Sequence, residues 1–463
     1  MAVVVFGSEE WAVQSFGSCQ FGDQRRTKRL VQVATKMANM PESSTPNQMD
    51  VWGDVKAAYR LFNSSGATFQ RIIEPHCQLT KTSCVKGDVK LIICDTTTVD
   101  FSNLTTAEGL SRISCGKGHG FFLHTALMLD AASHQVDGIA AAEIFYRKPE
   151  KIGRGLQRRR EDRESAIWGR VIETVGRPPE GVEWITVCDR GADDLDVMWR
   201  AVNQGQGFVI RASHLRRKIT TPDETTVPLQ DYLETLPPQG TRKVKVSATP
   251  ETPARVATVT LRFSEVSIPL SPVLTPWLKE HKPAQPLPVG VVELVELKPP
   301  KGVRPIRWVL YTHSQTRNCE QANTTIQYYE QRPVIEDYHK SAKTGCGMEK
   351  RREQKSKALE NVVGICIVLA VRLLQIKTVA QATPDRPAKD YVPPSWIRML
   401  QLVRKIPLNT EITIHQFLRK LAGLGGFLGR KCDGEPGWIT IWRGFEKLLL
   451  MLKGAEIERQ RSG

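Results

Sequence analysis

No Cys-x-x-Cys pair occurs among the ten cysteines of this 463-residue chain, which are scattered from Cys19 to Cys432. That spacing excludes a zinc ribbon and is too sparse for a disulfide framework, so reduced thiols in a cytoplasmic protein are expected. Long hydrophobic runs are also lacking. The longest strongly apolar run, Val362 to Val371, stops at Arg372, well short of the ~20 residues a membrane span needs. The first residues carry no basic segment, and Glu9 and Glu10 follow at once, which argues against a signal peptide. Internal repeats and low-complexity tracts are absent. Negative charge is scarce: 49 Asp+Glu face 65 Lys+Arg, a net +16. Such an excess suits a polyanion partner, the bland alternative being a merely basic soluble protein. With 40% hydrophobic and 25% charged residues the chain is neither disordered nor collagen-like, and its length predicts about two to four domains.

Four stretches differ in pattern. Residues 1–72 read as a helical domain. Within it, Asp23 is a plausible helix N-cap followed by Arg25, Arg26, Lys28 and Arg29. Cations in a first turn oppose the helix dipole, so a neighbouring anion such as a phosphate would relieve them; an ordinary solvated cluster is the alternative. From about 85 to 210 the pattern is α/β. Short apolar runs at 89–94, 121–129, 138–145, 184–188 and 208–210 read as strands, with a helix over Arg154–Val175. Residues 212–304 hold fourteen prolines between β-type alternations at 243–247, 257–263 and 291–297, a β-rich insertion before the core pattern returns at 306–311. Beyond 320 the chain is helical. The linker Thr383–Pro387 opens a final region, 377–463, in which fifteen Lys+Arg outnumber eight Asp+Glu.

Chemistry-bearing residues cluster in the second stretch. Asp95 and Asp189 each follow an apolar run and a cysteine and precede a polar turn, as carboxylates at two strand ends would. One such Asp usually caps a turn, but two suggest a shared metal site at the rim of a sheet. The third piece is Tyr329-x-x-Arg332-x-x-x-Glu336, continuing to Lys343. At roughly 100° per residue an uninterrupted helix would put Tyr329, Arg332, Glu336, Lys340 and Lys343 on one face. The alternative is a solvated charged face, or a helix that begins only at Pro333. Seven cations then fall between Lys340 and Lys357, against Glu349 and Glu353.

These motifs, Cys-Asp95-Thr-Thr, Cys-Asp189-Arg-x-Ala-Asp and Tyr329-x-x-Arg-x-x-x-Glu-x-x-x-x-x-x-Lys343, resemble those of the bacterial Asp-Asp-Glu transposases of insertion-sequence family four. Flanking segments match as well, among them Ala58-Tyr-Arg-Leu-Phe62, Pro305-Ile-Arg-Trp308 and Leu-Gly-Gly-Phe427. The resemblance implies a ribonuclease-H-like α/β core at 73–376, with the β insertion and helical domains at both ends. It implies two Mg²⁺ ions, or Mn²⁺ as substitute, held by Asp95, Asp189 and Glu336 for phosphodiester cleavage. It also implies DNA contacts from Arg211, Trp308, Tyr329, Arg332 and Lys343, with Trp308 as a stacking platform or a core Trp. His119, His124 and His339 read as structural residues or phosphate contacts. The implied activity is cut-and-paste transposition on double-stranded DNA by a nucleoid-associated bacterial enzyme. A joining-deficient nuclease or resolvase, or a DNA-binding protein without transposition, are the alternatives. Apolar helical residues at 417–427 and 445–452 predict a homodimer contact in the C-terminal domain when two DNA ends are bound, or else packing back on the core.

Overall fold

The computed structural model describes residues 7–114, 118–148, 160, 162–246, 254–271, 274–283, 286–430 and 433–462. It is a mixed α/β protein with helical N- and C-terminal regions. The strands are β1 (Val89–Asp100), β2 (Ser111–Arg112), β3 (His119–Asp130), β4 (Val136–Phe145), β5 (Glu183–Cys188), β6 (Gly207–Arg211), β7 (Lys218–Thr220), β8 (Thr226–Pro228), β9 (Gly240–Val246), β10 (Arg255–Ile268), β11 (Leu287–Glu296) and β12 (Arg307–Thr312). The chain forms two compact units that do not follow sequence order. One comprises Val85–Asp95 and Glu150–Pro333, the other Met1–Cys84, Thr96–Pro149 and Val334–Gly463.

The first unit is built on a large mixed sheet ordered β1-β5-β6-β12-β11-β10-β7-β8, with β9 beside β10. β1, β5 and β6 run parallel, and their continuous burial from Leu91 to Cys94, Trp184 to Cys188 and Phe208 to Ile210 is that of strands covered on both faces. The proline-punctuated stretch after β6 extends this sheet. The chain re-enters at β12, antiparallel to β6, and β11, β10 and β9 continue outward as antiparallel neighbours. Helices Ile167–Val175 and Leu195–Asn203 are joined by buried charge. Arg200 meets Asp196 and Glu173, each at 2.6 Å, and Arg163 meets Asp196 at 2.7 Å. Of the expected Arg154–Val175 helix, residues 154–159 and 161 lie outside the described residues, and Ile167–Val175 is helical.

The second unit is organised by one helix, Ser356–Ala382, buried around most of its circumference. It has the length and mean hydropathy, 2.1, of a membrane span, yet 89% of its most apolar window is inside the protein. The uninterrupted run of ten residues understated this helix, and burial by its own chain accounts for its apolarity. Three buried polar side chains on or just before it stitch in distant segments. Asn361 donates to the carbonyls of Phe62 and Ala67 at 2.8 and 3.1 Å. Arg351 donates to the carbonyls of Pro41, Ser43 and Cys346 and to Gln48. Arg372 lies between the rings of Trp11 and Trp396, 5.7 and 5.0 Å from their centroids, and burial pulls its pKa down to about 9.

Most of the apolar residues expected to face a partner instead pack inward. Phe417, Leu418, Leu421, Phe445, Leu448 and Leu449 are buried, while Leu450 is exposed. The helices Ile414–Leu424 and Trp438–Ser462 bury them by crossing very closely. A Cβ on Gly425 would stand 1.9 Å from the Thr440 carbonyl, and one on Gly444 equally close to that of Leu421. The Leu-Gly-Gly-Phe427 motif is thus a packing contact. All eight described cysteines are free thiols.

The last helix also carries a titratable contact. Burial, then the neighbouring Glu42 carboxylate, push Glu446 up to about 7. Burial works against Glu42 as well, but the hydrogen bond from Glu446 and the Lys350 ion pair hold it below its usual range. Glu446 binds its proton more tightly folded than unfolded, where the value is 4.5. The stability it contributes is therefore full below pH 4.5 and fades as pH rises through about 7. Glu446→Gln, which mimics the protonated form, is expected to raise the thermal midpoint over the unsubstituted chain at pH 8 by a few degrees. The gain should shrink at pH 5 and be lost below pH 4.5, as read by thermal denaturation across these pH values.

Candidate active site

Strand register creates the site. β1 and β5 pair in parallel with Ile93 opposite Val187, and the same offset carries Cys94 to Cys188 and Asp95 to Asp189. The two cysteines lie within hydrogen-bonding reach, and burial pushes the Cys188 thiol well up. They are packing residues under the carboxylates. Asp95 is not at a strand end, as expected, but inside β1, which runs on to Asp100. The β-branched Thr96-Thr97-Thr98-Val99 favours continued extension. Asp100 is the residue that ends the strand, accepting from the Ser102 amide at 2.8 Å. Asp189 does follow the end of β5, where its Oδ1 caps a tight turn by accepting from the Gly191 amide at 2.7 Å.

Both carboxylates converge on one cation. Arg332 Nη2 lies 3.0 Å from Asp95 Oδ2 and 3.5 Å from Asp189 Oδ2, with 18% of the Arg332 side chain exposed against 15% and 35% for the two acids. Arg332 belongs to a turn. The helix Cys319–Glu330 ends before it, and a separate helix, Val334–Lys340, starts just after Pro333. The single-face arrangement of Tyr329 and Arg332 with Glu336, Lys340 and Lys343 is thereby corrected. Proline cannot continue the preceding turn but fits ahead of a new one. Glu336 and Lys340 share the short helix, and Lys343 lies in the wide π-type turn Ser341–Gly345.

Around the acids stand further residues singled out by the sequence. Tyr329 packs edge-on against Trp308 at 5.2 Å between centroids, and the Arg211 guanidinium lies 6.0 Å from the Trp308 ring. Burial pushes the Tyr329 phenol up, while Arg211 and Arg332 work the other way. Trp308 itself is half-buried, between the two readings of platform and core. Sequence reasoning missed what holds this group together. Buried Asp193 accepts from the amides of Ser213 and His214 at 2.6 and 2.8 Å and pairs with Arg217 at 2.7 Å. Burial opposes its ionisation, but Arg217 and those amides outweigh burial and keep its pKa low. The segment after Arg211 is thus anchored to the turn that carries Asp189. The signal lay in the second acid of the Asp189-Arg-x-Ala-Asp193 motif.

The donor chemistry would suit a hard divalent ion, since two carboxylates already meet around a positive charge. Among the described residues no three His, Cys, Asp or Glu side chains gather as a metal cluster on their own.

The remaining cations divide. Lys340 pairs with Asp337 at 3.8 Å and Lys343 with Glu349 at 3.1 Å, while Arg351 is an internal staple. Of the three histidines, His124 is buried with its Nδ1 2.7 Å from Thr96 Oγ1, a structural role; His339 is buried and His119 exposed. In the N-terminal region Asp23 caps the helix Gln24–Asn39 as expected. Arg25 folds back on Asp23, Arg26 reaches the Phe21 carbonyl, Arg29 pairs with Asp54 at 2.9 Å, and Lys28 is exposed.

Residues 8–67 match the family model described as transposase DNA-binding, and residues 368–463 match that described as the transposase Tn5 dimerisation domain. The two matches support a Tn5-like transposase, with DNA and a second copy of the chain as its partners.

Replacing Lys28 or Arg25 by Ala should flatten the log–log salt dependence of DNA binding by about 0.9 for each phosphate no longer neutralised. A fluorescence-anisotropy titration across salt concentrations reads this directly.

Proposed function

We propose that this Tn5-like chain is a cut-and-paste transposase whose ribonuclease-H-like core cleaves transposon ends and joins their 3′ ends to target DNA. The observation that carries the reading is the parallel register that delivers Asp95 and Asp189 to one cation. Divalent magnesium, or manganese in its stead, would supply the charge that activates the attacking oxygen and stabilises the leaving 3′ oxygen, and Asp95, Asp189 and Glu336 would hold it. In this reading Glu336 is the third carboxylate by resemblance to the Asp-Asp-Glu signature.

The chain's other residues bind and orient the nucleic acid. Arg211 and Arg332 offer planar guanidiniums suited to phosphate oxygens, and Lys343 adds a point charge. Trp308, half-exposed against the Tyr329 ring, offers a face on which a displaced base can stack. Nicking at the end, closure of a hairpin on the flanking strand, its opening and strand transfer would all reuse this one constellation.

Paired ends require two copies. In the last helix, Ile439, Leu450 and Ile457 are exposed and fall within roughly 20° of one another around the helix axis. They are the apolar stripe we assign to the contact between copies, formed most stably when two ends are bound.

Asp95→Asn, Asp189→Asn and Glu336→Gln should each lower Mg²⁺-dependent nicking of end DNA by roughly a hundredfold or more, beyond what loss of a ligand's supporting group costs. End binding should stay within a few-fold. Gel assays of nicking and binding on the same preparations test this, and full nicking by Asp189→Asn would remove the assignment.

A further inference from the structure

Arg332 stands where the charge of a metal ion would stand. Its Nη2 meets both Asp95 Oδ2 and Asp189 Oδ2. Two acids this close and partly buried repel each other unless a positive charge is held between them. A guanidinium cannot relieve the site by losing its proton, because arginine stays charged at any ordinary pH. Departure therefore means movement of the side chain, and the local backbone allows it. Arg332 lies in the turn between two helices, and its amide bonds to the Tyr329 carbonyl at 3.0 Å, outside the ladder of either helix.

We propose that Arg332 is an exchangeable counter-cation of the Asp95–Asp189 pair, offsetting its charge without metal and leaving it when a divalent ion binds. This rests on the carboxylate pair being the metal site of the proposed function. Once displaced, the guanidinium is available for a phosphate, to which its fork of donors is matched. Metal and DNA phosphate then favour the same movement, so each should strengthen the other's binding. The arginine also suppresses metal uptake in the free protein, which delays assembly of a cutting site until DNA arrives.

The test is Mn²⁺ titration into the DNA-free, full-length protein, followed by calorimetry and by the electron paramagnetic resonance of free Mn²⁺. Arg332→Gln removes the competing charge and is expected to bind Mn²⁺ at least tenfold more tightly than the unsubstituted chain. Arg332→Lys, whose shorter ammonium makes a single contact, should fall between them and serves if the Gln variant does not fold. Equal or weaker Mn²⁺ affinity in these variants would overturn the exchange, since the arginine would then be organising the ligands instead of competing with the ion. Asp189→Asn separates this from failure of the functional reading. If it abolishes Mn²⁺ binding while Arg332→Gln brings no gain, the metal site stands and the exchange falls. If tight binding in Arg332→Gln survives the added Asp189→Asn, the carboxylate pair is not the site and both ideas fall.

Discussion

Two partly buried carboxylates forced together by strand register must be offset by positive charge, and that constraint orders the whole active region. The offset between β1 and β5 is fixed by their buried apolar residues. A slip by one position would move every β1 side chain, Asp95 included, to the other face of the sheet. Packing therefore sets the carboxylate spacing, and the acids have no freedom to separate. The balancing charge comes from Arg332, placed by a helix break at Pro333, while Asp193 locks the following strand and turn to the same frame.

Elsewhere the same principle recurs with buried arginines. Arg351 and Arg372 are almost wholly enclosed, and burying a guanidinium is tolerable only when its donors or its flat faces are occupied. Arg351 directs its donors to carbonyls of the 41–43 loop, and Arg372 is sandwiched by indoles from the two terminal regions. The helix Ser356–Ala382 thus gathers segments far apart in sequence, including parts of both stretches matched to transposase domains. Those matched stretches are packed into one unit with the chain from Val334 onward.

Much of this was legible in the sequence where local chemistry governs. The strands at 89–94, 184–188 and 208–210 announce themselves as continuous apolar runs, and Asp23 as a cap before a helix. The repeated Cys-Asp after two such runs pointed to carboxylates meeting. What escaped the sequence depends on long-range neighbours. The helical phase that united Tyr329 with Lys343 gives way to its alternative, a new helix set by Pro333. The cationic run from Lys340 to Lys357 concealed Arg351, an internal residue, because burial of a charge is decided by partners some 300 positions away. The apolar residues of the C-terminal helices looked like a contact surface until the glycine crossing at Gly425 and Gly444 supplied them with each other.

Iron-directed cleavage reads out whether the register-coupled acids form a divalent-metal site. Fe²⁺ bound in place of Mg²⁺ generates short-lived radicals with ascorbate and peroxide, cutting the polypeptide beside its own ligands. Backbone cuts are expected next to Asp95, Asp189 and Glu336, suppressed by excess Mg²⁺. Cuts confined to other segments, or cuts at these three that Mg²⁺ does not suppress, would contradict a metal site there.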